Sequence, residues 1–485
     1  MRMKKLVTFF LLGFFLWGCN EEGEPSIALN NEVNEFIWKS MNFWYYWQSD
    51  VPQLSDDIYT SEAALNEFLN NYSSPEALYE ALLLRGDDFS IIYPDYEVLE
   101  ELSQGTGTTF GFRAALINPR GTEQVFGFVK FVSEGGPADN AGIVRGDIFT
   151  AVDGTELNLD NFSSLLFGRE SYTLTLGEYV DNVAVSTDRT AAITAVKLTE
   201  NPIVLSKVLE DNGSKVGYLL YNQFIFDDRY HQELNNVFGT FRAEGVSELV
   251  LDLRYNGGGR ITTAQVLASM VYSGASSTDV FASVVYNEKL NATFAGQDLN
   301  YYFFDRLPNT EDPINQLDIS RVFILTSKST ASASELIIAG LSAYMDVTIV
   351  GDTTVGKNVG SVLLYDSPAE TYLDKGPDLN PNHRYAIRPI ISQFANSNGF
   401  TDYINGFLPD ITINENTLVG TIRPLGDPDE ALLEAALNAI AGVARFSPVA
   451  QNSPFITVHD SEPKDKFFES VILDSKNLSS ISDNP

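Results

Sequence analysis

Two short stretches of the chain carry side chains that could act together in catalysis. Thr330 to Glu335 read TASASE, and Gly351 to Gly360 read GDTTVGKNVG. A serine hydroxyl can attack a carbonyl carbon when a nearby base accepts its proton, and lysine is a known alternative to histidine as that base. Ser332 and Lys357 are 25 residues apart, which leaves room for one helix and one strand between them. The spacing is compatible with a Ser-Lys pair at one mouth of an α/β sheet.

The pattern around Ser332 has two interpretations. Ser332 and Glu335 have capping-box spacing, so the serine could simply cap the helix that begins near Ala333. A helix N-terminus also suits a nucleophile, because its free N–H groups and positive dipole end stabilise an oxyanion. The small neighbours Ala331 and Ala333 would leave room for a substrate backbone. In isolation, the capping interpretation is the simpler one.

Lys357 could instead belong to a phosphate-binding loop, and a histidine could replace it as the base. The stretch matches a phosphate-binding P-loop through Gly356 and Lys357, but Asn358 stands where that loop needs Ser or Thr. The following VGSVLLYD reads as a strand, whereas a P-loop continues into a helix. As a base, Lys357 requires a pKa below its usual ~10.4, so we expect a desolvated site. His383 is an alternative base, although its Pro and Asn neighbours predict an exposed loop.

The elements that must position these residues follow an α/β pattern from about 197 to 445. VGYLLYNQF reads as a strand, DDRYHQELNNVFGTFRAEG as a helix with His231 on its surface, and SELVLDLRYNGGG as a buried strand that runs into a glycine turn. RVFILTSKSTASASELIIAGLSAYM then gives strand, turn and helix. The alternation predicts a mainly parallel sheet with its active site at the carboxyl ends of the strands.

Two further regions precede this core. Residues 26–100 show helical periodicity, with seven aromatic residues between Phe36 and Trp47 that predict the core of a small helical domain. A glycan-binding face is the alternative for that cluster. Residues 106–196 consist of short predicted strands with glycine punctuation.

The region 106–196 resembles a PDZ domain, most clearly in SEGGPADNAGIVRGDIFTAVDG, Ser133 to Gly154. Phe110, Gly111 and Phe112 resemble the loop with which PDZ domains bind a peptide carboxylate through backbone N–H groups. The resemblance implies recognition of protein tails. A β-rich domain that serves only for packing is the alternative.

Taken in order, the PDZ-like region, LDLRYNGGG, STASASE and GDTTVGKNVG resemble the carboxyl-terminal processing peptidases, also called tail-specific proteases, over about residues 100 to 445. The resemblance implies that Ser332 is the nucleophile and Lys357 the general base. It also implies that the N–H groups of Ala333 and Gly258 form the oxyanion hole. Many members carry a glutamine four residues after the lysine, where this chain has Ser361, so the role of orienting the lysine is open.

The fold implied is a multidomain α/β protein, with a peptidase core, a β-rich PDZ-like domain and a small helical N-terminal domain. The activity implied is a serine endopeptidase that cleaves unfolded or tail-exposed proteins near their C-terminal ends through an acyl-enzyme. The alternative is a peptide- or apolar-ligand-binding protein on the same fold, as in the retinoid-binding repeats.

Composition narrows the partners and cofactors. The chain has 485 residues and a net charge of −34, which disfavours nucleic acid as a partner. One cysteine and three separated histidines predict no metal site, and no motif calls for a cofactor. No pattern indicates an oligomeric state.

The N-terminal residues predict export. Residues 1–18 have a basic start and the apolar run LVTFFLLGFFLW, which ends at Cys19 and resembles the signal peptide and lipobox of a bacterial lipoprotein. Residues 19–25 would form a lipidated tether, so we expect a protein anchored in the cell envelope, on the periplasmic side of a membrane or at the cell surface. An ordinary secretory signal is the alternative. The tail, residues 446–485, is predicted to be loosely ordered.

Overall fold

The structure is a computed structural model that describes residues 27–181, 183–367, 371–373, 375–376, 378–443, 454–460, 471–473 and 478. The predicted signal peptide, Cys19 and the tether lie outside the described residues. Within the described ranges, no helix combines the length and the apolar character needed to cross a bilayer.

The N-terminal unit is helical. Two of its helices begin where the sequence supplies a cap, since Ser61 Oγ accepts from the N–H of Ala64 and Ser74 Oγ accepts from that of Ala77. Trp44, from the aromatic cluster, is fully buried in a core that this unit shares with the α/β unit. The cluster is therefore core rather than an open binding face. The elements are α1 (Ile27–Trp44), α2 (Glu62–Leu69), α3 (Pro75–Ala81), β1 (Ile91–Tyr93) and α4 (Tyr96–Ser103).

The second unit is rich in strands that pack around a separate core, with alternating burial in β7 and almost continuous burial in β3, β4 and β5. Its elements are β2 (Thr106–Thr109), β3 (Phe112–Pro119), β4 (Phe126–Val132), α5 (Pro137–Asn140), β5 (Ile148–Val152), β6 (Thr155–Glu156), α6 (Phe162–Leu166), β7 (Ser171–Val180), β8 (Val183–Thr194) and β9 (Val196–Thr199). β3, β4, β5, β7 and β8 are consecutive neighbours in one sheet, and β2 pairs with β9.

The third unit alternates strands and helices. Its elements are β10 (Ile203–Asp211), β11 (Ser214–Tyr221), α7 (Asp228–Glu244), β12 (Glu248–Asp252), β13 (Gly259–Arg260), α8 (Ile261–Val271), β14 (Val280–Tyr286), α9 (Glu288–Thr293), β15 (Asn300–Tyr302), β16 (Arg321–Thr326), α10 (Ala333–Leu341), β17 (Asp346–Gly351), β18 (Val359–Ser361), β19 (Leu364–Tyr365), β20 (Ala386–Arg388), β21 (Ile390–Ala395), β22 (Ile411–Thr412) and α11 (Ala431–Ile440).

The main sheet of this unit has the order β10-β11-β12-β16-β17-β22. All of its pairings are parallel except that of β10 with β11. α8 and α10 are buried along their whole lengths and pack on each other. The predicted fold class, a mainly parallel α/β core preceded by a β-rich and a helical region, is confirmed.

The tail was expected to be loosely ordered, and this expectation is wrong for two described segments. β23 (Phe455–Asp460) pairs with β3 of the second unit. β24 (Val471–Ile472) pairs with β13 and β18 of the third unit. Composition alone did not predict these two strands, because each is formed by pairing with strands from a distant part of the chain.

Candidate active site

Three loops with predicted catalytic residues leave adjacent strands of the main sheet. β12, β16 and β17 run parallel and side by side. Gly258 follows β12, Ser332 follows β16 and Lys357 follows β17. Because parallel strands end at the same edge, the topology brings the three loops to one side of the sheet.

Ser332 sits immediately before α10 in a strained backbone conformation. Its φ of 62° and ψ of −112° are unusual for a residue with a side chain, and such conformations cost about 1–3 kcal/mol. The side chain is fully buried, and Oγ makes no hydrogen bond with any described group. Of the capping box predicted here, the bond from the Ser332 N–H to the Glu335 carboxylate is formed at 2.8 Å. The predicted capping-box arrangement is therefore present at the start of α10, while Ser332 Oγ forms no hydrogen bond of normal geometry with a described group.

Glu335 ties the serine to the lysine loop. Its buried carboxylate accepts hydrogen bonds from the N–H groups of Ser332 (2.8 Å), Gly356 (2.6 Å) and Lys357 (2.8 Å). The hydroxyl of Thr354 donates a fourth bond at 2.6 Å. Burial raises the pKa of Glu335, and these hydrogen bonds partly oppose the rise. One side chain on α10 thus determines the position of the backbone on both sides of the site.

Lys357 is buried beneath the N-terminal unit. The side chain is 1% exposed, and Nζ lies 4.4 Å from the centroid of the Phe89 ring. The Phe89 loop is itself held by Asp87, which accepts from the N–H of Phe89 at 3.0 Å and from the Tyr45 hydroxyl at 2.7 Å. The helical unit therefore covers the lysine, a contact that the sequence did not predict.

Gly258 packs directly against the serine. A Cβ at this position would lie 2.9 Å from Ser332 Cβ and 3.1 Å from the Ala333 nitrogen, and φ is +115°. Ala333 is the first residue of α10, so its N–H has no acceptor within the helix. The Gly258 N–H donates to Asn256 Oδ1 at 2.9 Å. An oxyanion that used this amide would have to replace the Asn256 oxygen as its acceptor.

Ser361 lies at the end of β18 and is fully buried. It pairs with Ile390 of β21 on one side and with Ile472 of the tail on the other. Its carbonyl accepts from the N–H of Leu473 at 2.9 Å. The loop that carries Lys357 therefore continues directly into a strand that borders the tail.

The predicted peptide-binding loop forms a site of its own. Phe110, Gly111 and Phe112 lead into β3, and Gly111 has a φ of +74°, with a Cβ added there lying 3.1 Å from Pro137 Cδ. A groove of about 390 Å³ runs between this loop, β3 and the end of α6. Its apolar lining includes Phe110, Phe112, Leu116, Leu166, Phe167 and Tyr172.

A buried ion cluster joins the second unit to the turn that carries Gly258. Arg254 donates to Glu430 at 2.8 and 2.9 Å, and Arg145 donates to Glu415 at 2.7 Å. The Tyr255 hydroxyl also donates to Glu415, at 2.7 Å. Although burial alone would raise the pKa of Glu415, the guanidinium groups of Arg145 and Arg254 lower it to about 2. The network was not visible in the sequence, because its members come from separate parts of the chain.

The structure also tests the P-loop alternative for Lys357 and the predicted positions of His383 and His231. Lys357 is followed by β18 rather than by a helix, so the P-loop geometry is absent from this part of the described chain. The loop is exposed at Pro381 and Asn382, as predicted, but the His383 side chain is 3% exposed and its Nε2 lies 2.9 Å from Asp366. His231 was predicted at the surface, yet it is buried, with Nε2 2.9 Å from Thr263 Oγ1, because that face of α7 packs on α8. Among the described residues, no cluster of three or more His, Cys, Asp or Glu could hold a metal.

Three protein-family models match the chain. The family model described as peptidase family S41 matches residues 215–389, the peptidase S41 N-terminal domain matches 32–91, and a PDZ domain matches 128–176. The chain contains a peptidase S41 domain, an S41 N-terminal domain and a PDZ domain. The resemblance inferred from the motifs is confirmed, and the S41 match contains all three loops of the site.

Individual S41 relatives agree with this assignment. A CtpA-like serine protease of Staphylococcus aureus is 30% identical over 357 residues, which cover 73% of this chain and 61% of that protein. A carboxyl-terminal-processing protease of Picosynechococcus sp. is 28% identical over 228 residues, 46% of this chain and 49% of that protein. The chain thus spans about half to three-fifths of the length of these two relatives. The crystal structure of a protein assigned as an S41 protease, from Bacteroides fragilis, matches with a TM-score of 0.66 and 26% identity over 87% of this chain and 99% of that one.

Two S41 site residues were missed or underestimated by sequence reasoning. Glu335 was noted only as a partner in a capping box, and nothing local pointed to its bonds with the Lys357 loop. Phe89 lies in an irregular loop that carries no periodic signal. Each acts through a contact between distant segments, which a single sequence without pairing information cannot reveal.

Proposed function

We propose that the chain is a serine endopeptidase that uses Ser332 as nucleophile and Lys357 as general base. The observation that carries the proposal is the strained, buried Ser332, whose hydroxyl is unbonded while its N–H shares the Glu335 carboxylate with the N–H of Lys357. Strained backbone at a helix start is expected where a reactive hydroxyl must be presented to a substrate. The match of residues 215–389 to the peptidase S41 model supports the same assignment.

In the proposed reaction, Ser332 Oγ forms a bond with the carbonyl carbon of the scissile peptide while its proton passes to neutral Lys357 Nζ. The negative oxygen of the tetrahedral intermediate accepts hydrogen bonds from the N–H groups of Ala333 and Gly258. The C–N bond then breaks, and the lysine gives its proton to the leaving amine. Water hydrolyses the resulting acyl-enzyme by the same steps, with Lys357 again as base. Ser361 is proposed to orient the lysine in place of the glutamine seen in other members.

The groove beside Phe110, Gly111 and Phe112 is proposed to hold the C-terminal end of an unfolded or tail-exposed protein. Two features support this role: an apolar groove of suitable size and a loop of backbone N–H groups at the start of β3. A tail held there would deliver an upstream peptide bond to Ser332.

We also propose that the protein is exported and anchored by a lipid on Cys19, in the cell envelope. The basic and apolar residues before Cys19 support this proposal. Mass analysis of the mature N-terminus, together with fractionation of Cys19→Ala cells, tests it. A wild-type protein that starts at Met1 and stays soluble would contradict it.

The activity is tested by cleavage of an unfolded reporter between pH 6 and 10. We expect Ser332→Ala and Lys357→Ala to be inactive while both remain folded. Ser342→Ala at the C-terminal end of the same helix and Lys328→Ala, whose side chain is 75% exposed, are matched controls that should keep full activity. Full activity in Lys357→Ala would contradict the dyad. A wild type that binds tails but never cleaves them would favour the binding-protein alternative.

A further inference from the structure

The described tail segments pair with strands beside the two candidate sites, β23 with β3 of the second unit and β24 with β13 and β18 of the third. β23 pairs antiparallel with β3, from Phe455 opposite Pro119 to Asp460 opposite Ala115. This segment therefore runs toward the loop that starts β3. An extended peptide that adds to the edge of a PDZ domain uses the same kind of pairing.

Side chains of β23 contact the peptide groove itself. His459 is one of the residues that line the groove, and its ring lies 4.6 Å from that of Phe167. Val458 packs against the core of this unit. Asp460 forms an ion pair of 2.9 Å with the buried Lys130 and accepts from Asn416 at 3.0 Å. The segment is thus held by specific contacts as well as by its backbone.

β24 lies between the loops that carry the candidate catalytic groups. Val471 pairs in parallel with Gly259 on one side and with Gly360 on the other. Gly259 directly follows Gly258, the residue that packs against Ser332. Neighbouring strands are about 4.8 Å apart, so a slot of roughly 10 Å separates β13 from β18, and one extended chain fills it.

The tail also fills apolar space beside this slot. Ile472 is 5% exposed and packs with Leu99 and Tyr365, and Leu473 is 1% exposed. A cavity of about 440 Å³ continues from these side chains. Its lining includes Val362, Leu363, Tyr365, Leu373, Arg260 and Glu100.

We infer that the described tail segments, 454–460 and 471–473, are intramolecular ligands of the β3 edge and of the slot between β13 and β18, and that an external chain must displace them to reach Ser332. Asp460 and Val471 are ten residues apart in the sequence, so β23 and β24 belong to one tail. Tethered ligands act at effective concentrations on the order of millimolar, so a weak segment suffices to keep external peptides out. The inference rests on the proposed function, because it treats the slot as the path of the substrate.

Binding to the full-length chain tests the occupancy without any need for catalysis. In a Ser332→Ala background, fluorescence anisotropy measures binding of a labelled peptide with the sequence KFFESVILDSKNL, residues 466–478. Ile472→Asp should release the tail and strengthen peptide binding at least tenfold, and Ile472→Ala should give a smaller gain. Ile456→Asp is the matched control, because Ile456 is 42% exposed on β23, and it should bind the peptide no better than the parent. A peptide that carries Asp at the position of Ile472 should bind none of these proteins.

Two results would overturn the inference. One is equal peptide affinity in Ile472→Asp, Ile472→Ala and the parent. The other is unfolding of both Ile472 variants, which would make β24 a structural strand.

Cleavage of the reporter by proteins that retain Ser332 distinguishes the proposed occupancy by the tail from the proposed peptidase activity. If the peptide binds as expected but no variant cleaves, the proposed function fails and the occupancy stands. If the parent cleaves and Ile472→Asp neither binds the peptide nor cleaves faster, the occupancy fails and the function stands.

Discussion

Substitution of Gly258 by alanine should inactivate the site while the fold persists. The added Cβ would lie 2.9 Å from Ser332 Cβ and 3.1 Å from the Ala333 nitrogen. Unbonded carbon atoms rest at about 3.5–4.0 Å, so the turn and the serine must separate by roughly 0.6–1.1 Å. That movement carries the Gly258 amide away from the position at which an oxyanion would form.

The expected size of the effect follows from two separate terms. Alanine at a φ of +115° adds backbone strain of about 1–3 kcal/mol, which lowers the free energy of unfolding. Loss of one oxyanion donor lowers kcat by about 10²–10³, or about 2.7–4 kcal/mol of transition-state stabilisation. KM should change little, because the substrate is held elsewhere.

Steady-state cleavage of the reporter gives kcat and KM, and urea unfolding gives stability. Gly245→Ala is the matched control: Gly245 has a φ of +74°, and a Cβ added there would meet no atom within 4 Å, so the strain is similar without a contact. It should lose about 1–2 kcal/mol of stability and no kcat, because an L residue pays this cost in the left-handed conformation. A folded Gly258→Ala protein with kcat within threefold of wild type would refute the role assigned to this turn.

Three other substitutions probe the surroundings of the site. In Glu335→Gln, a single side-chain oxygen cannot accept the four hydrogen bonds that the carboxylate accepts. We therefore expect the free energy of unfolding in urea to fall by about 3 kcal/mol and kcat to fall as well. An unchanged unfolding curve would argue against the central position of Glu335. The pKa of Glu415 is about 2 in the folded protein against an ordinary value of 4.5. The ionised side chain therefore adds about 3 kcal/mol to the free energy of unfolding above pH 4.5, and this stabilisation is lost as the pH falls toward 2. Acid titration of stability should be shallower in Glu415→Gln, and curves of identical shape would contradict the shift. Phe89→Ala removes the ring over Lys357 and should lower kcat/KM by up to about 30-fold, whereas normal activity would show that the ring is dispensable.

Local patterns predicted the parts of the site that depend on neighbours in sequence. Ser332 stands at a strand-to-helix turn because small residues and a capping pattern separate a β-branched strand from an apolar helix. The glycine turn before Gly258 is visible because few other residues adopt its positive φ. Parallel topology then brings both turns to one edge, which the alternation of elements also predicts.

The parts that sequence could not predict all depend on contacts between distant segments. Glu335 reaches residues 21 and 22 positions away across a strand and a loop. The tail strands have ordinary polar composition, and only the edges that β3, β13 and β18 offer them make them strands. His231 looked exposed because the apolar stripe of α7 is interrupted there, and Thr263 supplies the partner that makes burial tolerable.

The buried ion cluster has a consequence for exchanging domains between relatives. Arg145 comes from the second unit, whereas Glu415 and Glu430 come from the third, and the three side chains are almost fully buried. A chimera that received a foreign PDZ domain without an equivalent arginine would leave Glu415 and Glu430 to share the guanidinium of Arg254 with Asp252, a loss of about 3–5 kcal/mol. Arg145 must therefore be transplanted with its acceptors. The second and third units are therefore joined by buried ion pairs as well as by the chain that connects them.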